Sequence, residues 1–462
     1  MKLNVRNLVL AGVVAVMAAV PVAVGATAAA AATPTATFVK TSDWGSGWEG
    51  RYTITNRGGS TLDSWRVEFD LPAGTSVGSY WDALMTRDGQ HYSFTNRSWN
   101  GTLTPGTSVT FGLLGNGSGS PTGCRLNGQP CDATPPPTTS PPPPPPTTAP
   151  PAGTPVAANG QLQVCGRHLC NRTGKPIQLR GMSTHGLQWY ANCVTPASLD
   201  VLAQEWRADV LRISMYVQEG GYETDPRRFT DLVHHYIELA TARGLYAIVD
   251  WHMLTPGDPN HNLSRARTFF AEIADRHRDK TNVLYEIANE PNGVSWSAVK
   301  SYADQVVPVI RQRDPEAVVL VGTPDWSSLG VSGTGGGVDT IAANPVAATN
   351  IMYVFHFYAA SHGDRYYDTL ARAADRLPIF VTEFGSQEAS GDGPNNFTTT
   401  QRYLDLLASR KISWVNWNYS DDFRSGAVFT GGTCGSGQFS GTGRLKPAGS
   451  WVRERMRTPD DF

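Results

Sequence analysis

Residues 282–295 read NVLYEIANEPNGVS: an apolar run fit for a buried strand stops at Asn289-Glu290, and Pro291 follows at once. The core of that stretch, VLYEIAN (283–289), has seven companions built alike. They are IQLRGM (177–182), VLRISM (210–215), LYAIVDW (245–251), VVLVG (318–322), IMYVFHF (351–357), PIFVTEF (378–384) and ISWVNWN (412–418). Amphipathic stretches such as PRRFTDLVHHYIELATAR (226–243) and SRARTFFAEIADRHRD (264–279) lie between them. Strands alternating with helices at this nearly even spacing predict an α/β domain over residues 156–462, closed as a (β/α)8 barrel. An open doubly wound sheet is the alternative, but no glycine-rich dinucleotide fingerprint follows the first strand.

In a closed barrel the carboxyl-terminal ends of the strands converge on one mouth. His185 follows the first strand, Arg212 lies in the second, His252 follows the third, and Asn289 and Glu290 end the fourth. The sixth supplies His356 and Tyr358, the seventh Glu383 and the eighth Trp417. Helix capping would explain Glu290 alone; polar groups on so many strand ends make that a thin account. Two glutamates facing each other across a barrel mouth are what glycoside hydrolysis needs. One holds a proton for the departing oxygen, and the other is ionised to meet positive charge at the anomeric carbon. Partial burial would keep Glu290 neutral, and Arg212 would keep Glu383 charged. The bland alternative is a structural ion pair between Arg212 and Glu383.

The rest of the chain is organised around that domain. Net charge is −2 with Lys and Arg scattered, so no basic face recommends nucleic acid or an anionic membrane. Residues 1–32 place Lys2 and Arg6 before an apolar run broken by Pro21 and then an alanine-rich exit, the layout of a secretory signal. No later stretch is long and apolar enough to span a bilayer. A secreted, extracellular protein is expected. Residues 133–155, ATPPPTTSPPPPPPTTAPPAGTP, cannot bury a core and predict an extended spacer of roughly 70 Å. Ahead of it, residues 34–132 alternate polar and apolar positions in short runs such as RYTITNR (51–57), SWRVEFDL (64–71) and SVTFGLL (108–114), predicting an all-β sandwich. Trp65 lies within such a run and reads as core. Trp44, Trp81 and Trp99 sit in turn-rich, polar contexts and could stack on the apolar faces of sugars.

Six cysteines suit an oxidising compartment. Their spacing favours Cys124 with Cys131 and Cys165 with Cys170, leaving Cys193 and Cys434 to join the front and back of the second domain. No HExxH occurs, and the cysteine spacing does not repeat as a zinc site would. Gly74-Thr75-Ser76-Val77-Gly78 satisfies GxSxG, but no helix follows it, as a nucleophile elbow requires.

DWGSGWEGRYTITN, SWRVEFDLP, SYWDA, SWNGTL and CRLNGQPCD fall in the order found in family 2 carbohydrate-binding modules, which residues 36–132 resemble. The resemblance implies that Trp44, Trp81 and Trp99 form a planar binding strip. The early cysteine of many relatives is missing. Cys124–Cys131 is a variant also seen in modules of chitin-degrading enzymes, so cellulose and chitin both stay open for this module.

LRGMSTHGLQWY, RISMY, DWH, IANEPNG, HFYAASH, VTEFG and WNYSDD likewise make residues 160–458 resemble glycoside hydrolase family 5, most nearly its secreted bacterial endo-β-1,4-glucanases. The resemblance implies Glu290 as general acid/base and Glu383 as nucleophile, with Asn289 on the sugar 2-hydroxyl. It implies Arg212 and Tyr358 beside the nucleophile, and His252 and His356 as ligands to the sugar and to the acid/base. Trp417 would be the platform under the cleaved sugar, with Trp189, Trp326 and His185 around it. Asp422-Phe423-Arg424 reverses a lysine–acid order common in relatives, so the outer subsites cannot be copied from them. The expected function is retaining endo-hydrolysis of cellulose and related β-glucans by a monomer, with no cofactor or metal, no nucleic acid and no membrane partner. A binding-only lectin, or a hydrolase of mannan or chitosan, are the other readings.

Overall fold

The computed structural model describes residues 33–43, 47–131 and 150–459. The signal-like leader, Trp44 and most of the proline-rich segment lie outside the described residues. The chain divides into two compact units, Met1–Pro142 and Pro143–Phe462.

The first unit contains β1 (Thr35–Asp43), β2 (Gly47–Thr55), β3 (Arg66–Asp70), β4 (Ser76–Trp81), β5 (Leu84–Asp88), β6 (His91–Thr95), β7 (Ser108–Asn116), β8 (Thr122–Leu126) and β9 (Gln129–Pro130). They form two antiparallel sheets, ordered β1-β2-β7-β4 and β5-β6-β3-β8-β9. The alternation along β2 buries Trp48, Tyr52 and Ile54. Between the sheets Tyr52 stacks on Phe69 and Phe111, and Phe94 on Phe111. Burial of such rings, roughly 1.5–3 kcal/mol each, is the main force holding a sandwich of this size. Trp65 is core, as its alternation implies, and its Nε1 donates to the Asn100 carbonyl at 2.8 Å. Cys124 and Cys131 are bonded at the sandwich edge, with Cα atoms 5.4 Å apart.

The second unit opens with a short hairpin, β10 (Gln163–Cys165) and β11 (His168–Cys170), closed by Cys165–Cys170. The barrel strands are β12 (Arg180–Ser183), β13 (Val210–Tyr216), β14 (Tyr246–His252), β15 (Val283–Glu286), β16 (Val319–Val321), β17 (Ile351–Tyr358), β18 (Ile379–Gly385) and β19 (Trp414–Trp417). All pair in parallel, and β19 pairs with β12 to close the ring. Inward positions alternate along each strand: Val210, Tyr246, Ile248, Leu284, Leu320, Val354 and Phe380 fill the lower interior, sealed by Leu162, Leu169 and Ile177. Outward positions meet the helices. Helix Pro226–Ala242 starts at Asp225, whose side chain accepts from the Arg228 amide, and it buries Phe229, Val233, Ile237 and Ala240 on one stripe.

Expected and observed strand limits agree within two residues except at two places. The first strand begins at Arg180 rather than at residue 177, because Ile177 and Leu179 plug the barrel bottom instead of pairing in the ring. The fourth ends at Glu286, so Ile287–Glu290 leave the ladder as a loop carrying Asn289 and Glu290 over the mouth. Residues 154–155, expected in the spacer, instead start a helix: Thr154 caps Pro155–Asn159, and the Val156 amide donates to the Gly244 carbonyl.

Candidate active site

At the carboxyl-terminal mouth of the ring lies an open cleft of about 500 Å³. His185, His252, Glu290, His356, Tyr358 and Glu383 line it, together with Trp189, Trp326 and Trp417. Arg212 and Asn289 are fully buried directly beneath. The barrel thus brings together all eleven residues expected at its mouth.

Arg212 organises the floor. Its Nε and Nη2 donate to both oxygens of Glu286 at 2.7 and 3.0 Å, its Nη2 also to Asn289 Oδ1 at 2.7 Å, and its Nη1 to Glu383 Oε2 at 3.1 Å. Asp250 Oδ2 lies 3.0 Å from Nη2. Burial opposes the positive charge, but Asp250 and Glu286 outweigh it and hold the guanidinium protonated. The other oxygen of Glu383 accepts from the Tyr358 hydroxyl at 2.5 Å. Both oxygens of Glu383 therefore face donors, which fix the orientation of its carboxyl group.

Glu383 reaches the cleft through a bulge. Val354 pairs with Phe380 but His356 with Glu383, and the same irregularity recurs against β19. The extra residue in β18 lets neighbours Thr382 and Glu383 both serve the interior, where strict alternation would turn one of them outward.

A proton relay can be read from Glu286 to Glu290. Thr382 Oγ1 donates its single proton to Glu286 Oε1 at 2.8 Å, so it must accept from His356 Nε2 at 2.9 Å. Burial lowers His356 to about 4, so the ring is neutral and its Nδ1 carries a lone pair. That lone pair faces Glu290 Oε1 at 2.9 Å, and the proton between them must belong to Glu290. Burial, reinforced by Glu286, pushes Glu290 up to about 8. Geometry and electrostatics agree: Glu290 is the proton holder of the pair.

His252 Nδ1 donates to Asp250 Oδ2 at 2.6 Å, and burial keeps the ring neutral. Its plane stacks on Tyr216 and on Trp417. His185 lies against Trp417, with Nε2 facing Asp422 Oδ2 at 3.6 Å. Asp422 also accepts from the Tyr190 hydroxyl and from Arg424. The Cys193–Cys434 bond fastens this wall, spanning 241 residues, and the Cys434 amide donates to neighbouring Asp421.

Sequence reasoning passed over Asp250, Glu286, Tyr216 and Thr382. The first three had a signal: period-two alternation from Ile248, Leu284 and Arg212 points Asp250, Glu286 and Tyr216 inward. Thr382 had the same signal, two residues on from inward Phe380; only Glu383 is turned inward by the bulge.

Among the described residues, oxygens of Glu290 and Glu383 and a nitrogen of His356 come within 4.8 Å of one another, close enough to hold a cation. A second cluster, Cys193, Asp421 and Cys434, has its sulfurs in a disulfide and offers no thiolate.

In the sandwich, Trp99 is 66% exposed. Trp81 is half-buried and ends β4 rather than lying in a turn, its ring pressed close to Gly112, where a Cβ would sit 2.1 Å from it. Trp44, the third expected ring of the strip, lies outside the described residues.

Residues 170–423 match the cellulase family (glycosyl hydrolase family 5), and residues 34–131 match the cellulose binding domain. The chain is 56% identical to endoglucanase E-5 of Thermobifida fusca over 428 residues, covering 92% of each. It is 51% identical to endoglucanase CelA of Streptomyces lividans over 431 residues, again 92% of each. Among solved structures, it superposes on the catalytic domain of Thermobifida fusca endoglucanase Cel5A at a TM-score of 0.65 and 64% identity, covering 66% of this chain and all of that one. A variant of the same domain crystallised with cellotetraose matches at 0.65 and 63%.

Proposed function

The chain belongs to glycosyl hydrolase family 5 and carries an amino-terminal cellulose binding domain, and from that premise we propose that it is a secreted endo-β-1,4-glucanase that retains anomeric configuration. The observation that carries the reading is the pairing at the mouth: a protonated Glu290 facing a Glu383 held by Arg212 and Tyr358.

Glu383 attacks the anomeric carbon as Glu290 gives its proton to the leaving glucosidic oxygen, and the first sugar departs. A glycosyl ester on Glu383 remains. Glu290, now ionised, takes a proton from water, whose oxygen displaces the ester and regenerates both carboxyl groups. In support of retention, oxygens of the two carboxyl groups approach within 4.8 Å. That suits the roughly 5–5.5 Å carboxyl separation of direct attack better than the roughly 6.5–9.5 Å that leaves room for a water. Arg212 takes Asn289 Oδ1, and the Asn289 amide nitrogen, 3.4 Å from both His252 Nε2 and the Met253 carbonyl, gives up one of these long contacts to meet the sugar 2-hydroxyl. Trp417 supports the cleaved sugar, and Trp189 and Trp326, 48% and 47% exposed, stack on its neighbours.

Residues 1–32 serve as the export signal, and residues 133–153 as the spacer that lets the hydrolase search near the point where the binding module is anchored. Cellulose and related β-glucans are the substrates. The complex of the related Cel5A domain with cellotetraose supports that choice. The test is reducing-sugar release from carboxymethylcellulose, with anomer detection by NMR on cellopentaose. Wild type should release the β-anomer first and Glu383→Gln should be inert. Initial α-anomer, or mannan cleaved far faster than cellulose, would overturn the reading.

A further inference from the structure

The segment after β16 adopts a backbone that ordinary residues avoid. Asp325, Trp326 and Ser327 follow one another with φ of 61°, 59° and 52°, and Leu329 has φ of 57°. A run of left-handed residues without a glycine crowds each Cβ against the next carbonyl, and it persists only where the surroundings impose it. Here the imposing contacts are explicit. The Ser327 amide donates to the Thr323 carbonyl at 3.0 Å, while the Ser327 hydroxyl accepts from the Thr323 amide at 3.2 Å. The same hydroxyl donates to the Asn289 carbonyl at 2.6 Å. The Trp326 amide donates to the Pro291 carbonyl at 3.0 Å. Gly322 lets the two loops press together, since a Cβ there would sit 2.2 Å from the Ala288 carbonyl oxygen.

The result is an asymmetry. Ser327 is fully buried and Asp325 nearly so, yet Trp326 between them is half exposed and faces the cleft. Trp326 follows β16, which stands across the ring from β12, the strand before His185 and Trp189. It is fastened to the loop that carries Glu290, the group that protonates the leaving oxygen.

We propose that Ser327 is a positioning residue: its hydroxyl locks the left-handed turn that presents Trp326 to the sugar on the leaving-group side, and ties that platform to the backbone one residue before the acid. The inference rests on the hydrolase reading above. A sugar stacked on Trp326 presses on a turn hydrogen-bonded to Asn289 and Pro291, so leaving-group binding and the placing of Glu290 are one mechanical unit. Removing the hydroxyl should cost most when the leaving group is a sugar, which needs both the platform and the proton. It should cost least when the leaving group is an acidic phenol, which needs neither.

The test compares kcat and KM on cellopentaose and on dinitrophenyl β-cellobioside for wild type, Ser327→Ala, Ser327→Gly and Trp326→Ala. For Ser327→Ala, kcat/KM on cellopentaose should fall about tenfold, with the ratio of the two substrates' kcat/KM dropping at least about fivefold, the scale of a modest misplacement at a reacting centre. Cellopentaose products should shift in the same direction as in Trp326→Ala. Ser327→Gly removes the hydroxyl and also relieves the backbone strain, so it folds even if the alanine variant does not, and it should show the same ratio. An equal loss on both substrates, a wild-type ratio in either variant, or full recovery in the glycine variant overturns the role of Ser327. Wild type failing to turn over either substrate would strike instead at the hydrolase reading.

Discussion

The guanidinium of Arg212 joins Glu383 at 3.1 Å through Nη1 while its other edge is occupied by Glu286, so the Glu383 carboxyl group hangs from a side chain that cannot move. A planar fork reaches both acids and Asn289 at once; a point charge cannot. Arg212→Lys should therefore lower kcat on soluble cellodextrins by about 100-fold or more with little change in KM. Arg212→Met, which strands buried carboxylates, should cost about 3–5 kcal/mol of folding stability in a urea titration. A lysine variant with near-wild-type kcat would show that the fork is dispensable.

Glu290 must carry its proton to act as the acid. Burial, reinforced by Glu286, holds it up to about 8, so kcat/KM on cellopentaose should fall as pH rises through about 8. On dinitrophenyl β-cellobioside, whose leaving group needs no proton, the limb should be absent from wild type and Glu290→Ala alike. Persistence of the limb in the alanine variant would assign it to another group. The same raised value bears on stability. The folded protein holds a proton that the unfolded chain, at its ordinary 4.5, gives up, so this contribution is present at acid pH and is lost as pH rises through about 8.

In the sandwich, the exposed ring of Trp99 and the ring of Trp81 pressed close to Gly112 are the described surfaces fit for stacking on a polysaccharide. Trp99→Ala in the full chain should weaken adsorption to cellulose powder about five- to tenfold, the scale of about 1–1.5 kcal/mol for one aromatic contact. Turnover of soluble cellodextrins should not change. Adsorption unaffected by both Trp99→Ala and Trp81→Ala would move the binding surface elsewhere. Running the isotherms on chitin as well decides which polymer the module prefers.

How much of this was legible in the chain depends on which force sets each feature. Periodicity and spacing are properties of the string, so all eight barrel strands and both candidate glutamates could be placed from it. Strand ends were less secure, because Ile177 and Leu179 look like strand residues and become a plug. The buried pair of Asp250 and Glu286 was readable from alternation and was overlooked for want of an exposed role. Two features were not written in any local pattern. The bulge that turns Glu383 inward depends on register between three strands, and the left-handed run at Asp325–Ser327 depends on carbonyls of a different loop.

On the outside of the barrel, His234 Nδ1 and His277 Nε2 stand 2.8 Å apart between helices Pro226–Ala242 and Leu263–His277, both buried, with room for one proton between them. Glu272 lies 3.5 Å from His234, and Glu238 lies 3.6 Å from His277, where it would favour charge on the His277 ring. Burial nonetheless dominates at His277 and, with His234, Lys280 and Arg276, pushes it down to about 3. The unfolded chain takes up that proton near 6.5, so stability is fully present above about 6.5 and drains away as pH falls toward about 3. His356, lowered to about 4, acts in the same direction, and Glu272, held at about 2, adds a loss of its own as pH falls from about 4.5 toward about 2. Glu290 and Asp250, raised to about 8 and about 7, act oppositely over the same pH range, so the contribution of His277 is read as the difference between wild type and variant. His277→Gln should lose about 1–3 kcal/mol at neutral pH through its missing hydrogen bond. Its unfolding free energy should then fall less steeply with acid, so that the two proteins converge near pH 4. Parallel curves for the two would remove His277 from the account.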